Sequence, residues 1–236
     1  MPENTLENEA LTRTVLGLCR DAGASLAGVA SAAELRLAPS YRRFPAGDWP
    51  ADAASVLVLA LAHPEDQPAM DWWDEGKGGT PGNRQLIAQA QTLTAWLRQK
   101  CRIRAHSLSY HLEMGGVFLK DAAVLAGLGT IGKNNLLVTP ELGPRVRLRA
   151  LFLDRPLMPT SGVDVDPCRG CDMPCNAVCP RQAFDGNRYH RDRCERQMEA
   201  DLTGRSLCEG NHFPEGKREC IQYCRACELA CPVGTR

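Results

Sequence analysis

Apolar residues recur with helical spacing through residues 5–22, TLENEALTRTVLGLCRDA, which predicts an amphipathic helix with Asn4 or Thr5 at its cap. Two short apolar runs follow, LAGVA at 26–30 and SVLVLALA at 55–62. Each is bounded by proline, glycine or charge, and both read as buried strands. Residues 83–100 run without glycine or proline and make the clearest helix. A third strand is expected over 104–110, a short helix over 118–126, and a further strand over 146–154. Strands alternating with helices predict a mixed core, α+β or α/β. Residues 155–166, RPLMPTSGVDVD, read as a linker, so the expected domains are 1–157 and 158–236.

Charge narrows the picture only slightly. Lys+Arg and Asp+Glu both number 28, so no global field draws in a polyanion. The longest apolar run is far short of the roughly 18 residues that span a bilayer. The acidic start has neither a basic nor an apolar leader region. The expectation is a cytoplasmic protein with no membrane partner.

The cysteines change the picture most. Ten of the twelve lie between Cys168 and Cys231. The first motif is Cys168-x2-Cys171-x3-Cys175-x3-Cys179-Pro180. The second is Cys224-x2-Cys227-x3-Cys231-Pro232, with Cys220 four residues upstream. Bacterial ferredoxins use C-x2-C-x2-C-x3-C-P runs, in which three close cysteines wrap one cubane and the fourth crosses to the other. Two such runs predict exchanged ligand sets for two 4Fe-4S clusters. One would take Cys168, Cys171, Cys175 and Cys231. The other would take Cys179, Cys224, Cys227 and one of Cys194, Cys208 and Cys220, with Cys194 preferred. Zinc also accepts C-x2-C pairs, but the repeated C-x3-C-P ending favours clusters. Cys19 and Cys101 fall in predicted helices and read as small buried hydrophobes.

The segment AGLGTIGKNN holds Gly127-x-Gly129-x-x-Gly132, a literal dinucleotide fingerprint. A helix-like run precedes it, and Pro140, Gly143 and Pro144 follow it, so a Rossmann site is declined. The glycines are expected to shape a turn that lets a large ligand approach the backbone. Arg145, Arg147 and Arg149 alternate along a predicted strand and so share a face, read as a solvated edge in preference to a binding face for an anionic ligand tail. The role of Trp72 and Trp73, pocket wall or surface staple, is left open.

Residues 118–157 followed by the paired cysteine motifs resemble the epoxyqueuosine reductases and the related iron–sulfur module of corrinoid reductive dehalogenases. The resemblance implies a nitroreductase-like three-layer core holding cobalamin, with a C-terminal two-cluster ferredoxin-like module feeding it electrons. It places Arg193-Cys194 where that family has a second-cluster ligand. It also brings Glu113 to the position of a proton donor, with Tyr110 and His111 as adjacent competitors. Implied cofactor contacts are Glu113, Lys133, Asn134, Leu137 and Arg225. The implied substrate is a small molecule or a modified nucleoside, and the implied donor a low-potential carrier such as ferredoxin or flavodoxin. Because the chain ends four residues after Pro232, a C-terminal extension common in such enzymes is expected to be missing, and tRNA is not favoured. The alternatives are an electron-transfer protein without corrinoid, docking to a partner enzyme, and a flavin-binding reductase.

Overall fold

The computed structural model describes all residues except 1, 45–46, 109–111, 161, 163–165, 186–187, 210–217 and 235–236; the side chains of 2–5 and 113 are also outside the description. The elements in chain order begin with α1 (Pro2–Asp21), β1 (Leu26–Ser31), α2 (Ala32–Leu35), α3 (Pro39–Arg43) and β2 (Ser55–Ala62). Next come α4 (Pro81–Trp96), β3 (Ala105–Ser107), α5 (Leu119–Leu125), β4 (Thr130–Ile131), β5 (Leu137–Val138) and β6 (Val146–Leu153). The C-terminal part holds α6 (Pro174–Ala177), β7 (Phe184–Asp185), β8 (Arg188–Tyr189), α7 (Arg191–Thr203), β9 (Ser206–Cys208), β10 (Arg218–Cys220) and α8 (Ala226–Leu229). They form two compact units interleaved along the chain. The first is Met1–Leu61, Leu86–Gly129 and Leu148–Asp164; the second is Ala62–Gln85, Thr130–Arg147 and Val165–Arg236.

The first unit is built on a four-stranded sheet in the order β1-β2-β6-β3. Its strands are antiparallel: Val29 faces Leu57, and His106 faces Phe152. Bonds from Ala54 to the Leu153 carbonyl and from His63 to the Arg145 carbonyl fix the same sense for β2 and β6. The structure thus decides for α+β over α/β. Residues 55–61 are buried without alternation, so both faces of β2 are covered. Leu57, Leu59, Leu93, Leu97, Leu151 and Phe152 fill the core. Trp49 stacks on Phe152 and meets the edge of Tyr41, whose hydroxyl accepts the Phe118 amide at 2.9 Å.

The helix over 83–100 begins two residues earlier, at Pro81, and ends in a π turn over Leu97–Cys101. Arg102 closes that turn in the left-handed region, at φ 56°. The expected linker is not loose. Leu157 donates to Ser55 Oγ and Met158 to Thr12 Oγ1, while Thr160 and Val29 exchange bonds at 2.9 Å. Residues 155–160 satisfy their polar groups by running along β1 and β2, which composition alone does not reveal.

Among the described residues the second unit has only short strands and is held by both main-chain and side-chain bonds. Its three hairpins are β4–β5, β7–β8 and β9–β10. Trp73 and Ile221 exchange both main-chain bonds at 2.9 Å, which makes Trp73 part of the backbone scaffold. Arg205 grips Glu75 with two bonds of 2.8 and 3.0 Å.

Candidate metal centres

Each cysteine loop is shaped by local features. The Asp166 carboxylate accepts the Cys168 amide at 2.9 Å, closing the turn that presents Cys168 and Cys171. Met173 adopts φ 53° and Pro174 opens α6, so the chain reverses sharply before Cys175. Cys194 lies in the first turn of α7, while Cys227 lies in α8 and Cys231 just beyond it.

The thiols fall into two groups. Burial raises the Cys175 thiol, and Cys231 raises it further, followed by Cys168 and Cys171. Cys231 is raised first by burial and then feels Cys168 and Cys171 in turn. In the other group burial pushes Cys227 up to about 12; Cys224, Cys194 and Cys179 add to the effect, and Cys175 of the first group adds last. Cys224 is raised by burial and by Asp201, Cys179 and Cys194. Four crowded thiols cannot all ionise unaided, because each thiolate raises the cost of the next. A cationic iron–sulfur core reverses that penalty, since a coordinating thiol is deprotonated outright.

Donors already point at the sulfurs. In the first group the amides of Lys133, Asn176 and Val233 serve Cys168, Cys175 and Cys231, the Lys133 bond being 3.3 Å. In the second, the Ala183 amide reaches Cys179 at 3.2 Å and the Ala226 amide serves Cys224. The Tyr189 hydroxyl pairs with Cys194 and is raised by burial and by that thiolate. Such donors stabilise sulfur-borne negative charge, so the donor set fits a cluster. Among the described residues no three His, Cys, Asp or Glu side chains close on a single ion. A cubane holds its thiolates farther apart than one ion does.

The last glycine of the motif, Gly132, borders this site. Asn135 at φ 58° tightens a turn in which Asn134 Oδ1 accepts the Leu136 amide at 3.2 Å. A Cβ on Gly132 would stand 2.9 Å from both Asn134 Oδ1 and Val138 Cγ2, so glycine leaves room for the turn that carries the Lys133 amide to Cys168. The strand β4 follows Gly129, where a Rossmann site needs a helix.

A buried charge network borders the second motif, and sequence reasoning missed most of it. Asp71 accepts His63 Nδ1 and Arg147 Nε, both at 2.8 Å. Arg225 Nη1 lies 2.6 Å from the other Asp71 oxygen as an ion contact rather than an aligned hydrogen bond. Glu228 accepts Arg147 Nη2 at 2.9 Å and Arg225 Nε at 3.1 Å. Burial alone would raise the Asp71 carboxyl, but His63, Arg147 and Arg225 outweigh it and hold it below the usual range. The expected solvated face of arginines is therefore wrong for Arg145 and Arg147. Arg145, just before β6, is buried and binds the carbonyls of Glu228, Cys231 and Val233.

The remaining candidates are placed as follows. Tyr110 and His111 lie outside the described residues, as does the Glu113 side chain, whose backbone is in a 3-10 turn. Asn134 and Leu137 are buried, and Arg225 is engaged by Asp71 and Glu228. Of the positions named for cofactor contact, only Lys133 has an exposed side chain among the described residues.

No protein-family model matches the chain. A tetrachloroethene reductive dehalogenase of Sulfurospirillum multivorans is 32% identical over 119 residues, covering 47% of this chain and 22% of that one. An epoxyqueuosine reductase of Pseudomonas aeruginosa is 33% identical over 122 residues, 51% of this chain and 33% of that one. Epoxyqueuosine reductases and reductive dehalogenases are its relatives. The fold agrees. Epoxyqueuosine reductase solved with an epoxyqueuosine-modified tRNA stem loop superposes with TM-score 0.64 at 19% identity, over 95% of this chain and 65% of that one. A catabolic reductive dehalogenase in complex with 3-bromo-4-hydroxybenzoic acid gives 0.62 at 18% identity, over 93% and 31%. A further dehalogenase structure, described as B12-dependent, gives 0.54 at 18% identity, over 77% and 28%. The matched stretches span only a fifth to a third of the two sequence relatives. No helix among the described residues is long and apolar enough to cross a membrane.

Proposed function

We propose that the chain is a cytoplasmic iron–sulfur oxidoreductase that passes electrons from a low-potential carrier, such as ferredoxin or flavodoxin, through two 4Fe-4S clusters to a corrinoid. Cys168, Cys171, Cys175 and Cys231 would hold one cluster, and Cys179, Cys194, Cys224 and Cys227 the other. The observation that carries the reading is the convergence of two groups of thiols, each with hydrogen-bond donors aimed at its sulfurs. When bound, the clusters supply one-electron transfer at a potential that hydrogen bonds and burial set. The protein's own part is to hold the loops: Arg145 fixes the carbonyls around Cys231, and Arg225 and Glu228 anchor the helix bearing Cys227. In this reading residues 1–157 form a nitroreductase-like core with Glu113 as its acid, and residues 158–236 a ferredoxin-like cluster module. The substrate would be a small molecule or a modified nucleoside, as the relatives' names suggest.

An electron-transfer protein without corrinoid is the second reading, favoured by the internal engagement of Asn134 and Arg225. One experiment separates the two. The protein is purified anaerobically, reconstituted with iron and sulfide, mixed with hydroxocobalamin and desalted. Retained corrinoid absorbance beside intact clusters is expected, and its absence supports the second reading. Cys194→Ala is expected to lose about half the iron, because each cluster carries four of the irons. Full iron content would remove Cys194 from the ligand set.

A further inference from the structure

Cys208 and Cys220 belong to neither group of four thiols. They sit on β9 and β10, where Cys208 faces Arg218 and Cys220 faces Ser206. In that antiparallel register they are diagonal neighbours on one face of the hairpin. Their Cα atoms are 5.8 Å apart and their sulfurs are in contact. The separation lies inside the roughly 4.4–6.8 Å that a disulfide bridges. Both residues are buried, at 1% and 2% exposure, with Ala69 and Trp72 packed against them. Ile221, next to Cys220, is the residue that exchanges both main-chain bonds with Trp73. Three residues after Ile221 the chain reaches Cys224.

We infer that Cys208 and Cys220 form a structural disulfide, a thiol-oxidation site separate from the cluster ligands, that fastens the hairpin leading into Cys224 and Cys227. Its formation balances with a small-molecule disulfide as oxidant. One cysteine thiolate attacks that disulfide and releases one small thiol, leaving a mixed disulfide. The other cysteine then displaces the second small thiol, so the pair loses two electrons and two protons and the oxidant gains them. Burial beneath Trp72 shields the finished bond from attacking thiols, which lets it persist beside reduced clusters. The hairpin needs such a clasp because β9 and β10 have three residues each, too short for a stable ladder alone.

The bond is tested on the whole holoprotein, purified anaerobically without thiol reductant and treated with oxidised glutathione. It is then denatured in excess N-ethylmaleimide, digested and mapped by mass spectrometry. Ten cysteines are expected to carry label, with the Cys208 and Cys220 peptides linked to each other. Both should label after a phosphine reductant. Label on both without the reductant, or a link from either to a third cysteine, overturns the inference. Iron and sulfide are assayed separately, so a failed cluster reading does not disturb this result. Cys208→Ser and Cys220→Ser are each expected to keep the full iron content, and loss of about half in either would make that residue a ligand instead. If neither variant folds, the wild-type map still decides. Amide exchange at residues 218–221 should speed up on reduction, and unchanged exchange would overturn the fastening role.

Discussion

Gly28 and Asp71 show how tightly single positions are constrained. A Cβ on Gly28 would drive into the Ala126 carbonyl and stand 2.9 Å from Thr160 Oγ1. Those partners are backbone and a bonded hydroxyl, so neither gives way. Gly28→Ala is expected to cost about 1–3 kcal/mol by overpacking, read as a lower urea midpoint. Asp71 supplies one of two negative charges balancing Arg147 and Arg225. Asp71→Asn leaves an unbalanced buried cation, for an expected loss of about 3–5 kcal/mol. The sign of its pH dependence follows from the lowered carboxyl. The contribution is fully present above the unfolded value, about 4, and is lost as pH falls through the lower folded value. The gap between wild type and Asp71→Asn in urea should therefore close as pH falls below about 4. A constant gap at all pH values would show that Asp71 is not the titrating group.

At the scale of elements, residues 155–160 act as an extra strip stitched to the sheet rather than as a tether. Thr160 is its main fastening, bonded to Val29 and to the Ala126 carbonyl. Thr160→Val keeps the shape and removes the hydroxyl, leaving a buried carbonyl and amide less satisfied, and should cost about 1–3 kcal/mol in thermal or urea unfolding. Sequence reading found β2 to the residue, because a continuous apolar run is a local property. It read 155–166 as a linker and did not foresee the bonds that 155–160 make to the sheet, because composition describes a turn-rich stretch and not the partners the chain meets. It also put Arg145 and Arg147 on a solvated edge, since alternation shows that residues share a face but not whether the strand is interior.

At the scale of the molecule, the two units draw stability from different sources. The first buries leucine, valine and phenylalanine on a sheet. The second has few large apolar residues fully buried, and relies on ion pairs, a disulfide and the cysteine loops. On the proposed two-cluster reading, removing iron with a chelator is expected to abolish amide protection in residues 165–236 while residues 55–61 stay protected, read by hydrogen exchange. Simultaneous loss in both would mean that the units unfold as one.

The two cysteine motifs that opened the functional reading are a matter of local spacing. Short loops fix which sulfurs a few residues apart turn inward, and sequence carries that directly. The same holds for the helices and for β2, whose periods are set within ten or so residues. Which distant thiols meet was expected from the crossed pattern of paired motifs, and for Cys194 from the resemblance, but its physical cause lies outside either motif. Cys231 comes beside Cys168 and Cys171, and Cys194 beside Cys224, only after the intervening chain has closed, and closure depends on the whole packing arrangement. Tertiary structure likewise decided the antiparallel order β1-β2-β6-β3, the joining of Cys208 to Cys220, and the turn of Gly132 and Lys133 onto Cys168. Each of these brings together groups that no local period or motif pairs, because their meeting depends on how the intervening chain packs.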